Sequence, residues 1–494
     1  MDTIQYTSRE ALPLIMQGAY EAYLQYAQTT RKERAALLSQ IKENMQEQQQ
    51  ELIETAMKET NLQEARLKSE FTRTLNQLQF FSDMLLEGSY LDISIDTAIP
   101  ERMPAPKPDI RKMMLPLGPV VVFGAGNFPF AYSTMGGDSA SALAAGCSVI
   151  VKAHPAHPLT SEKVAVCVRK AVGKMGMPEN VFTHLHFSDV SLGKDLVTND
   201  YAAAVGFTGS LQGGRALYDY AAQRDKPIPV FAEMGSTNPV LLLPGYLHAN
   251  IPHLVKIFTA SITGSMGQFC TKPGIFLGMA SDALEKFAYQ LAESLNNVLP
   301  ERMLYSNIRE NFNRNRSRAL NISGVHKLTK DFENAEAEPT VAFTTGEHFR
   351  KHSELRHEVF GPFSIVISCR DKNEMIEIWK SISGQLTTSI FGTNDDFSAN
   401  PELPAMATHI AGRVIFNGVP TGVEVCPSMV HGGPYPATTD GRFTAVGIQS
   451  VKRWLRPVCF QNAPQSVLPP ELRNQNPERL RRLVNNQWTT EDVP

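Results

Sequence analysis

Cysteine is scarce in this sequence and is never clustered. The 494 residues include six cysteines, at positions 147, 167, 270, 369, 426 and 459. No two of them form a Cys-x-x-Cys pair, so the spacing argues against the common cysteine-ligated zinc sites and against a disulfide framework. We therefore expect a reducing compartment, free thiols and no metal centre.

Long apolar runs and an excess of one charge are missing as well. The longest uncharged stretch, 113–137, is interrupted by glycine, proline, asparagine and serine, and the N-terminus lacks the pattern of a signal peptide. The net charge of −3 favours neither a nucleic-acid partner nor an anionic membrane surface. These absences predict a cytoplasmic protein that binds neither nucleic acid nor membrane.

The hydrophobic periodicity changes along the chain. Residues 10–90 carry apolar positions at helical spacing, and five prolines between 94 and 118 then predict an extended excursion. From 118 onward short apolar strands alternate with helices, of which two are predicted over 129–146 and 158–174. This alternation predicts an α/β fold in which helices cover both faces of a parallel sheet.

Three residues stand where chemistry and simple packing are both open interpretations. Cys270, in the turn "GSMGQFCTKPG", is either a nucleophile or a small buried residue. Asn127 follows a buried strand, where its amide can donate to a developing oxyanion or close a turn. Glu233 lies in an otherwise apolar strand, which suits a catalytic base or one half of a buried ion pair.

Two further motifs are typical of nucleotide contacts, and each also has a purely structural interpretation. At "FTGS" a strand ends and a helix begins, so Gly209, Ser210 and Gly214 either admit a phosphate to the helix N-terminus or shape the turn. In "LRHEVFGPF", Glu358 and Phe360 face the same way on an extended segment. They suit a ribose and a flat ring, or a surface acid beside a core phenylalanine.

Taken together, these motifs resemble the aldehyde dehydrogenase superfamily. The segments "GNFP", "FTGS", "FAEMGS", "GQFC" and "EVFGP" occur in the family's order, and the resemblance extends over essentially the whole chain. The segments "VKAHPAHPLTSE", "MVHGGPYPATTD" and "RPVCFQNAP" are similar to the NADP-linked branch that oxidises fatty aldehydes or 2,5-dioxovalerate (α-ketoglutaric semialdehyde). The resemblance implies a Rossmann-type cofactor domain, an α/β catalytic domain and a small oligomerisation arm.

The resemblance also implies roles for individual residues. Cys270 would add to the aldehyde, Glu233 would act as the base, and Asn127 with the Cys270 backbone N–H would form the oxyanion hole. Oxidation would pass through a thiohemiacetal and a thioester on the cysteine, and no metal is expected. The implied cofactor-binding residues are Lys152, Gly209, Ser210, Gly214, Gly235, Glu358 and Phe360.

The cofactor implied by the resemblance is NADP, with NAD as the alternative. Pro155 stands where many NAD-linked relatives carry a glutamate, so repulsion of a 2′-phosphate is removed. Proline offers no hydroxyl, however, so His154, His157 or Lys194 would have to help hold the phosphate. For the two histidines, a solvated loop is the competing interpretation.

The resemblance divides the chain into three parts. Residues 1–94 and 116–236 are expected to form the dinucleotide-binding domain, and 237–425 the catalytic domain. Residues 95–115 and 455–494 are expected to form the oligomerisation arm of a homodimer or homotetramer. The physical reason is that a lone extended segment leaves its backbone groups unsatisfied unless a sheet receives it.

The expected reaction is the NAD(P)-dependent oxidation of 2,5-dioxovalerate to 2-oxoglutarate. The alternatives are a fatty or other aldehyde, a CoA-acylating dehydrogenase and a non-catalytic scaffold. A substrate carboxylate needs a cation, which would come from Lys272, His431 or a more distant arginine, although Lys272 also suits a solvent-facing loop. The expected pocket walls are Phe130, Tyr132, Ser133, Phe269, Thr271 and the loop 421–431.

Overall fold

Four helices begin the chain in the computed structural model, which describes residues 4–333, 335–382 and 384–493. They are α1 (Leu12–Tyr26), α2 (Arg31–Glu47), α3 (Gln49–Thr60) and α4 (Glu64–Glu87). Helix α2 begins at a capping box, in which Thr30 and Glu33 satisfy each other's backbone N–H groups. Residues 1–3, 334, 383 and 494, which fall within the predicted domains and arm, lie outside the described residues.

Two short strands, β1 (Ser94–Asp96) and β2 (Ile110–Pro116), lead into a five-stranded parallel sheet. The elements of this sheet are β3 (Val120–Phe123), α5 (Gly137–Ala145), β4 (Val149–Lys152), α6 (Pro158–Lys174), β5 (Phe182–Leu185), α7 (Val190–Thr198), β6 (Ala204–Thr208), α8 (Leu211–Ala222) and β7 (Val230–Glu233). The strand order is β5-β4-β3-β6-β7, with every pair parallel. Continuous apolar strands such as β3 and β4 are buried on both faces, as parallel sheets require.

A seven-stranded sheet follows. Its elements are β8 (Val240–Leu242), α9 (Pro244–Thr263), β9 (Ile275–Met279), α10 (Asp282–Leu295), α11 (Ser306–Leu320), β10 (His326–Lys327), β11 (Thr340–Thr345), α12 (Gly346–Lys351), β12 (Phe363–Cys369), α13 (Lys372–Ser381), β13 (Gln385–Phe391), α14 (Asn394–Ser398), α15 (Leu403–Ala407) and β14 (Ala411–Phe416). The order is β10-β11-β12-β9-β8-β13-β14, and only β10 runs antiparallel to its neighbour.

The third sheet joins the two segments predicted to form an arm. Strands β15 (Leu455–Gln461), β16 (Arg482–Val484) and β17 (Gln487–Thr489) complete the order β15-β2-β1-β16-β17. Strand β2 pairs with β1 on one side and with β15 on the other. The two segments predicted to form the arm therefore pair with each other within one chain, so a sheet receives them without a partner subunit.

The helix predicted over 129–146 is shorter in the structure and begins only at Gly137. Before it, the backbone N–H groups of Phe130 and Ala131 both donate to Oε1 of Glu70, at 2.8 and 2.9 Å. A carboxylate from α4 therefore takes the place of helical hydrogen bonds. Because a Cβ at Gly136 would lie 2.4 Å from the Ala131 carbonyl oxygen, only glycine fits this tight loop.

The parallel sheet gathers four of the predicted site residues at one edge. Lys152 and Glu233 end β4 and β7, while Asn127 and Ser210 follow β3 and β6. Because all these strands are parallel, their carboxyl ends meet at the same edge, where open α/β sheets bind ligands.

All six cysteines are free thiols. Within the described ranges, no helix combines the length and the apolar character needed to cross a membrane.

Candidate active site

Cys270 follows a tight turn at the end of α9. Ser265, Met266 and Gly267 all adopt positive φ, at 48°, 52° and 64°. A Cβ at Gly267 would lie 2.5 Å from the carbonyl carbon of Gly361, so glycine is needed for this contact. The turn before the thiol is thereby locked against the segment that follows Glu358.

The thiol of Cys270 lies beside a histidine and a carboxylate. Nε2 of His431 is 3.5 Å from Sγ of Cys270 and 2.8 Å from Oε1 of Glu233. The side chains of His431 and Glu233 are buried, with 1% and 3% of their surface exposed. The other carboxylate oxygen, Oε2 of Glu233, is buried without a hydrogen-bond partner, so it can accept a proton from an incoming water.

Burial and the nearby negative charge of Glu233 raise the pKa of Cys270 well above its ordinary value, against the opposing charge of Arg73. The resting side chain is therefore a thiol, which needs a base before it becomes a nucleophile. The Glu233–His431 pair stands within 4.8 Å of the sulfur and is placed to supply that base.

Asn127 contacts the same turn from the other side. Its Nδ2 donates to the carbonyl of Gln268 at 3.1 Å, two residues before the thiol. A second amide, on Asn238, donates to the carbonyls of Cys270 and Lys272 at 2.9 and 3.0 Å. The structure thus brings together the three residues predicted to be catalytic. It adds His431, which the sequence had suggested only as part of the pocket wall or as a cation for the substrate carboxylate.

The predicted glycines at the β6–α8 turn are explained by protein contacts. A Cβ at Gly209 would lie 2.6 Å from the ring of Phe207, and one at Gly214 would lie 2.6 Å from Sδ of Met234. Ser210 caps α8 by accepting from the backbone N–H of Gly213 at 3.2 Å. Packing and capping account for these residues without a ligand, although the helix N-terminus still faces the carboxyl edge of the sheet.

Glu358 and Gly235, which are both among the predicted cofactor-binding residues, are in close contact. A Cβ at Gly235 would lie 2.5 Å from Oε2 of Glu358. Burial raises the pKa of Glu358 to about 7, although the positive charge of Lys272 opposes the rise. Phe360, two residues further on, is partly exposed.

Lys272 is not the solvent-facing residue that was one of its two interpretations. It is 3% exposed, and its amine donates to the carbonyls of Val359, at 3.4 Å, and of Phe363. Burial lowers the pKa of Lys272 to about 8. Because its donors are committed to the segment carrying Glu358, Lys272 is not placed to bind a substrate carboxylate either.

The two histidines near Pro155 are likewise not in a solvated loop. His157 is fully buried, with Nε2 2.9 Å from the Ala125 carbonyl and Nδ1 3.1 Å from Oγ of Ser161. Nδ1 of His154 accepts from the backbone N–H of Ala156 at 3.1 Å, and its ring stacks on that of His157. Both ring nitrogens of His157 are used by the protein, which removes it as a phosphate ligand.

An apolar cluster adjoins the thiol. Five residues of the expected walls lie in it, namely Tyr132, Phe269, Val423, Val425 and Met429, together with Phe128. Phe130 lies instead in the main core, edge-on to Phe71 with ring centroids 5.2 Å apart. The prediction that Phe130 lines the pocket is therefore wrong.

Two arginines that sequence reasoning did not name act on this region. Arg73, on α4, donates to the hydroxyl of Tyr132 at 2.9 Å, and its Nε is buried without a partner. Arg413 donates to the carbonyls of Gly422, at 2.8 Å, and of Pro420. Among the described residues, no carboxylate lies within ion-pair distance of Arg73, although Glu70 acts on it electrostatically from farther away.

The carboxyl edge of the parallel sheet fits a nicotinamide dinucleotide. Burial lowers the pKa of Lys152 to about 8, and within the described ranges no carboxylate pairs with this cation. The start of α8 offers backbone N–H groups to a phosphate. The carboxylate of Glu358, beside Gly235, suits a ribose hydroxyl.

A parallel sheet whose carboxyl edge fits a nicotinamide dinucleotide, next to a thiol with a base, is the arrangement expected of a dehydrogenase that uses a cysteine. The chain belongs to the aldehyde dehydrogenase family, whose sequence model matches residues 1–434. This membership confirms the predicted α/β fold class, aldehyde dehydrogenase activity and use of a nicotinamide cofactor.

Comparisons with individual proteins agree with this family membership. The chain is 41% identical over 481 residues to alpha-ketoglutaric semialdehyde dehydrogenase of Acinetobacter baylyi, covering 96% of this chain and 90% of the relative. It is 42% identical over 472 residues to alpha-ketoglutaric semialdehyde dehydrogenase 2 of Azospirillum brasilense, covering 94% and 89%. The fold matches glyceraldehyde-3-phosphate dehydrogenase GapN of Methanocaldococcus jannaschii complexed with NADP, at TM-score 0.77 and 19% identity, covering 93% and 95%.

Proposed function

We propose that the protein oxidises 2,5-dioxovalerate to 2-oxoglutarate with NADP as cofactor. The observation that carries the substrate assignment is the guanidinium of Arg73, which has no carboxylate partner among the described residues and acts electrostatically on the Cys270 thiol. An aldehyde that ends in a carboxylate would satisfy this charge, whereas a fatty aldehyde would leave it unpaired. The two relatives named for α-ketoglutaric semialdehyde support the same substrate.

In the first half of the reaction, Glu233 removes the thiol proton of Cys270 and Sγ forms a bond to the aldehyde carbon. Nε2–H of His431 donates a hydrogen bond to Glu233. Because the same nitrogen also faces Sγ of Cys270, it can donate to the thiolate once the thiolate forms. Asn127 and the Cys270 N–H hold the oxygen that becomes negative. Glu358 and Phe360 would hold the nicotinamide, which would supply the hydride acceptor for the same carbon. Cys270 would then carry the acyl group as a thioester.

In the second half, water replaces the cysteine on the acyl carbon. Glu233 first releases the thiol proton to solvent. Its Oε2, which is buried without a partner, then takes a proton from the attacking water, and the C–S bond breaks to release the acid. The thiol is restored by a proton, so the cysteine is unchanged over the cycle. Hydrolysis rather than transfer to CoA is supported by the retention of Glu233 beside the thiol.

The cofactor contacts follow the carboxyl edge of the sheet. Lys152 would hold the adenosine ribose or its 2′-phosphate, the start of α8 at Ser210 the pyrophosphate, and Glu358 with Phe360 the nicotinamide ribose and ring. Gly209, Gly214 and Gly235 would allow the close approach. Preference for NADP is supported by Pro155, which brings no carboxylate near a 2′-phosphate.

The three-part division of the chain is part of this proposal, with 1–94 and 116–236 binding cofactor and 237–425 contributing the nucleophile. Residues 95–115 and 455–494 would associate with another copy of the chain. Exposed apolar side chains on this arm support association: Ile99, Met103, Val467 and Trp488 are 46, 83, 64 and 55% exposed.

A product assay tests the proposed reaction. Purified protein with NADP and 2,5-dioxovalerate should form NADPH and 2-oxoglutarate in equal amounts, and CoA should change neither. If NADPH appears only with CoA, the acceptor is a thiol and the hydrolytic role of Glu233 is wrong.

A further inference from the structure

Outside the thiol cluster, one carboxylate and two imidazoles converge at an edge of the parallel sheet. His184 lies in β5 and His186 directly follows it, so both point to the same face because side chains alternate along an extended strand. On that face, Glu162 of α6 meets both rings. Nδ1 of His184 and Nε2 of His186 lie 3.0 and 3.1 Å from the same oxygen, Oε2 of Glu162.

We propose that Glu162, His184 and His186 form a binding site for a divalent transition metal ion such as Zn²⁺. Their three ligand atoms lie within 4.8 Å of one another. Ligands that are about 2.0–2.2 Å from a tetrahedral ion stand about 3.3 Å apart, so small side-chain movements suffice to receive the ion. Two imidazoles and one carboxylate are a donor set that suits this class of metal, with water in the remaining position.

The surroundings of the cluster fit a metal site. His184 is fully buried at its side chain, and its Nε2 lies 3.3 Å from Oγ1 of Thr134. A hydroxyl can accept as well as donate, so the His184 proton can reside on Nε2 and leave Nδ1 free for the ion.

The cluster is open to solvent, and one nearby cation competes with a metal ion for Glu162. Glu162 is 33% exposed at its side chain, which opens the cluster to solvent. Arg169 pairs with the other oxygen of Glu162, Oε1, and leaves Oε2 to the ion. The ion would tie α6 to the edge strand β5. The positive charge of the Arg169 guanidinium competes with the metal ion for the Glu162 carboxylate.

The experiment is a metal titration of the Cys270→Ser protein, which removes the thiol of the separate active-site cluster as a competing ligand. Metal-free protein is titrated with Zn²⁺ by calorimetry, and thermal unfolding is recorded with and without the ion. One equivalent should bind and raise Tm, because a ligand of the folded state stabilises it. The His186→Gln change in this background should weaken binding at least about tenfold and abolish the shift in Tm.

Two matched variants control the result. His248→Gln removes an exposed histidine of α9 and should leave affinity unchanged. Arg169→Gln keeps all three ligands and should tighten binding about threefold or more, because a competing cation is lost. Equal affinity in the parent, His186→Gln and Arg169→Gln proteins, or no Zn²⁺ binding at micromolar concentration in the parent, overturns the proposal.

Discussion

The buried side chain of His431 donates through Nε2 to Oε1 of Glu233 at 2.8 Å. The same nitrogen lies 3.5 Å from Sγ of Cys270, so one N–H serves a carboxylate and a sulfur. A thiol proton can therefore leave toward Glu233 while the imidazole stabilises the thiolate. The arrangement gives Cys270, the proposed nucleophile, a neighbouring base although its surroundings raise the pKa of the thiol.

The first prediction concerns the pH dependence of Cys270 alkylation by iodoacetamide in the cofactor-free protein. Because burial and Glu233 raise the pKa of this thiol, it stays protonated near neutrality. The alkylation rate should therefore rise about tenfold per pH unit and keep rising beyond pH 9. Mass spectrometry of the Cys270 peptide measures the rate. In the control variant, Cys270→Ser, this peptide should not be alkylated and the enzyme should not turn over. A plateau below pH 8 would contradict the assigned environment.

The second prediction separates the two halves of the reaction. Glu233→Gln should slow thioester hydrolysis more than thioester formation, because the amide cannot take a proton from water. Stopped-flow mixing should show a burst of NADPH of about one equivalent, followed by turnover at least about a hundredfold slower than in the wild type. Loss of the burst as well would show that Glu233 is indispensable as the base for the thiol.

The third prediction tests Arg73 as the partner of the substrate carboxylate. Arg73→Gln should lower kcat/KM for 2,5-dioxovalerate about 10- to 100-fold, the equivalent of one charged hydrogen bond of about 1.5–3 kcal/mol. The value for glutaraldehyde, which has no carboxylate, should change less than about threefold. Arg413→Gln is the comparison variant, because Arg413 also acts electrostatically on Cys270 and its Nε is also buried without a partner. Its two terminal nitrogens hold backbone carbonyls, so this change should affect both aldehydes alike. If Arg73→Gln lowers kcat/KM equally for both aldehydes, Arg73 is not the partner of the substrate carboxylate.

Local patterns in the sequence predicted much of this site, and distant contacts explain what they missed. Motif order identified Cys270, Glu233 and Asn127, and the structure places all three around one turn. Arg73 lies on a helix almost two hundred residues before the thiol, so only tertiary packing brings them together. For Lys272 the sequence suggests a solvent-facing side chain or a cation for the substrate. In the structure its amine donates to two carbonyls of the 359–363 segment, which is distant in sequence and which local patterns do not reveal.

The fourth prediction is self-association through the arm sheet. Strand β15 forms one edge of that sheet and β17 the other, and Trp488 on β17 is 55% exposed. Unpaired strand edges with apolar side chains favour pairing with another copy. Light scattering at micromolar concentration should give the mass of a dimer or tetramer, and Trp488→Lys should shift it toward the monomer. A wild-type monomer under these conditions excludes the arm as an interface.

The most direct test of the proposed activity is a comparison of kcat/KM for 2,5-dioxovalerate, glutaraldehyde and decanal, measured as NADPH formation by the wild-type protein. If Arg73 and the apolar cluster around Tyr132 form a site for an aldehyde that carries a carboxylate, 2,5-dioxovalerate should exceed both others by at least about tenfold, roughly 1.4 kcal/mol. If decanal has the highest value of the three, the semialdehyde assignment is wrong and the pocket is that of a fatty aldehyde dehydrogenase.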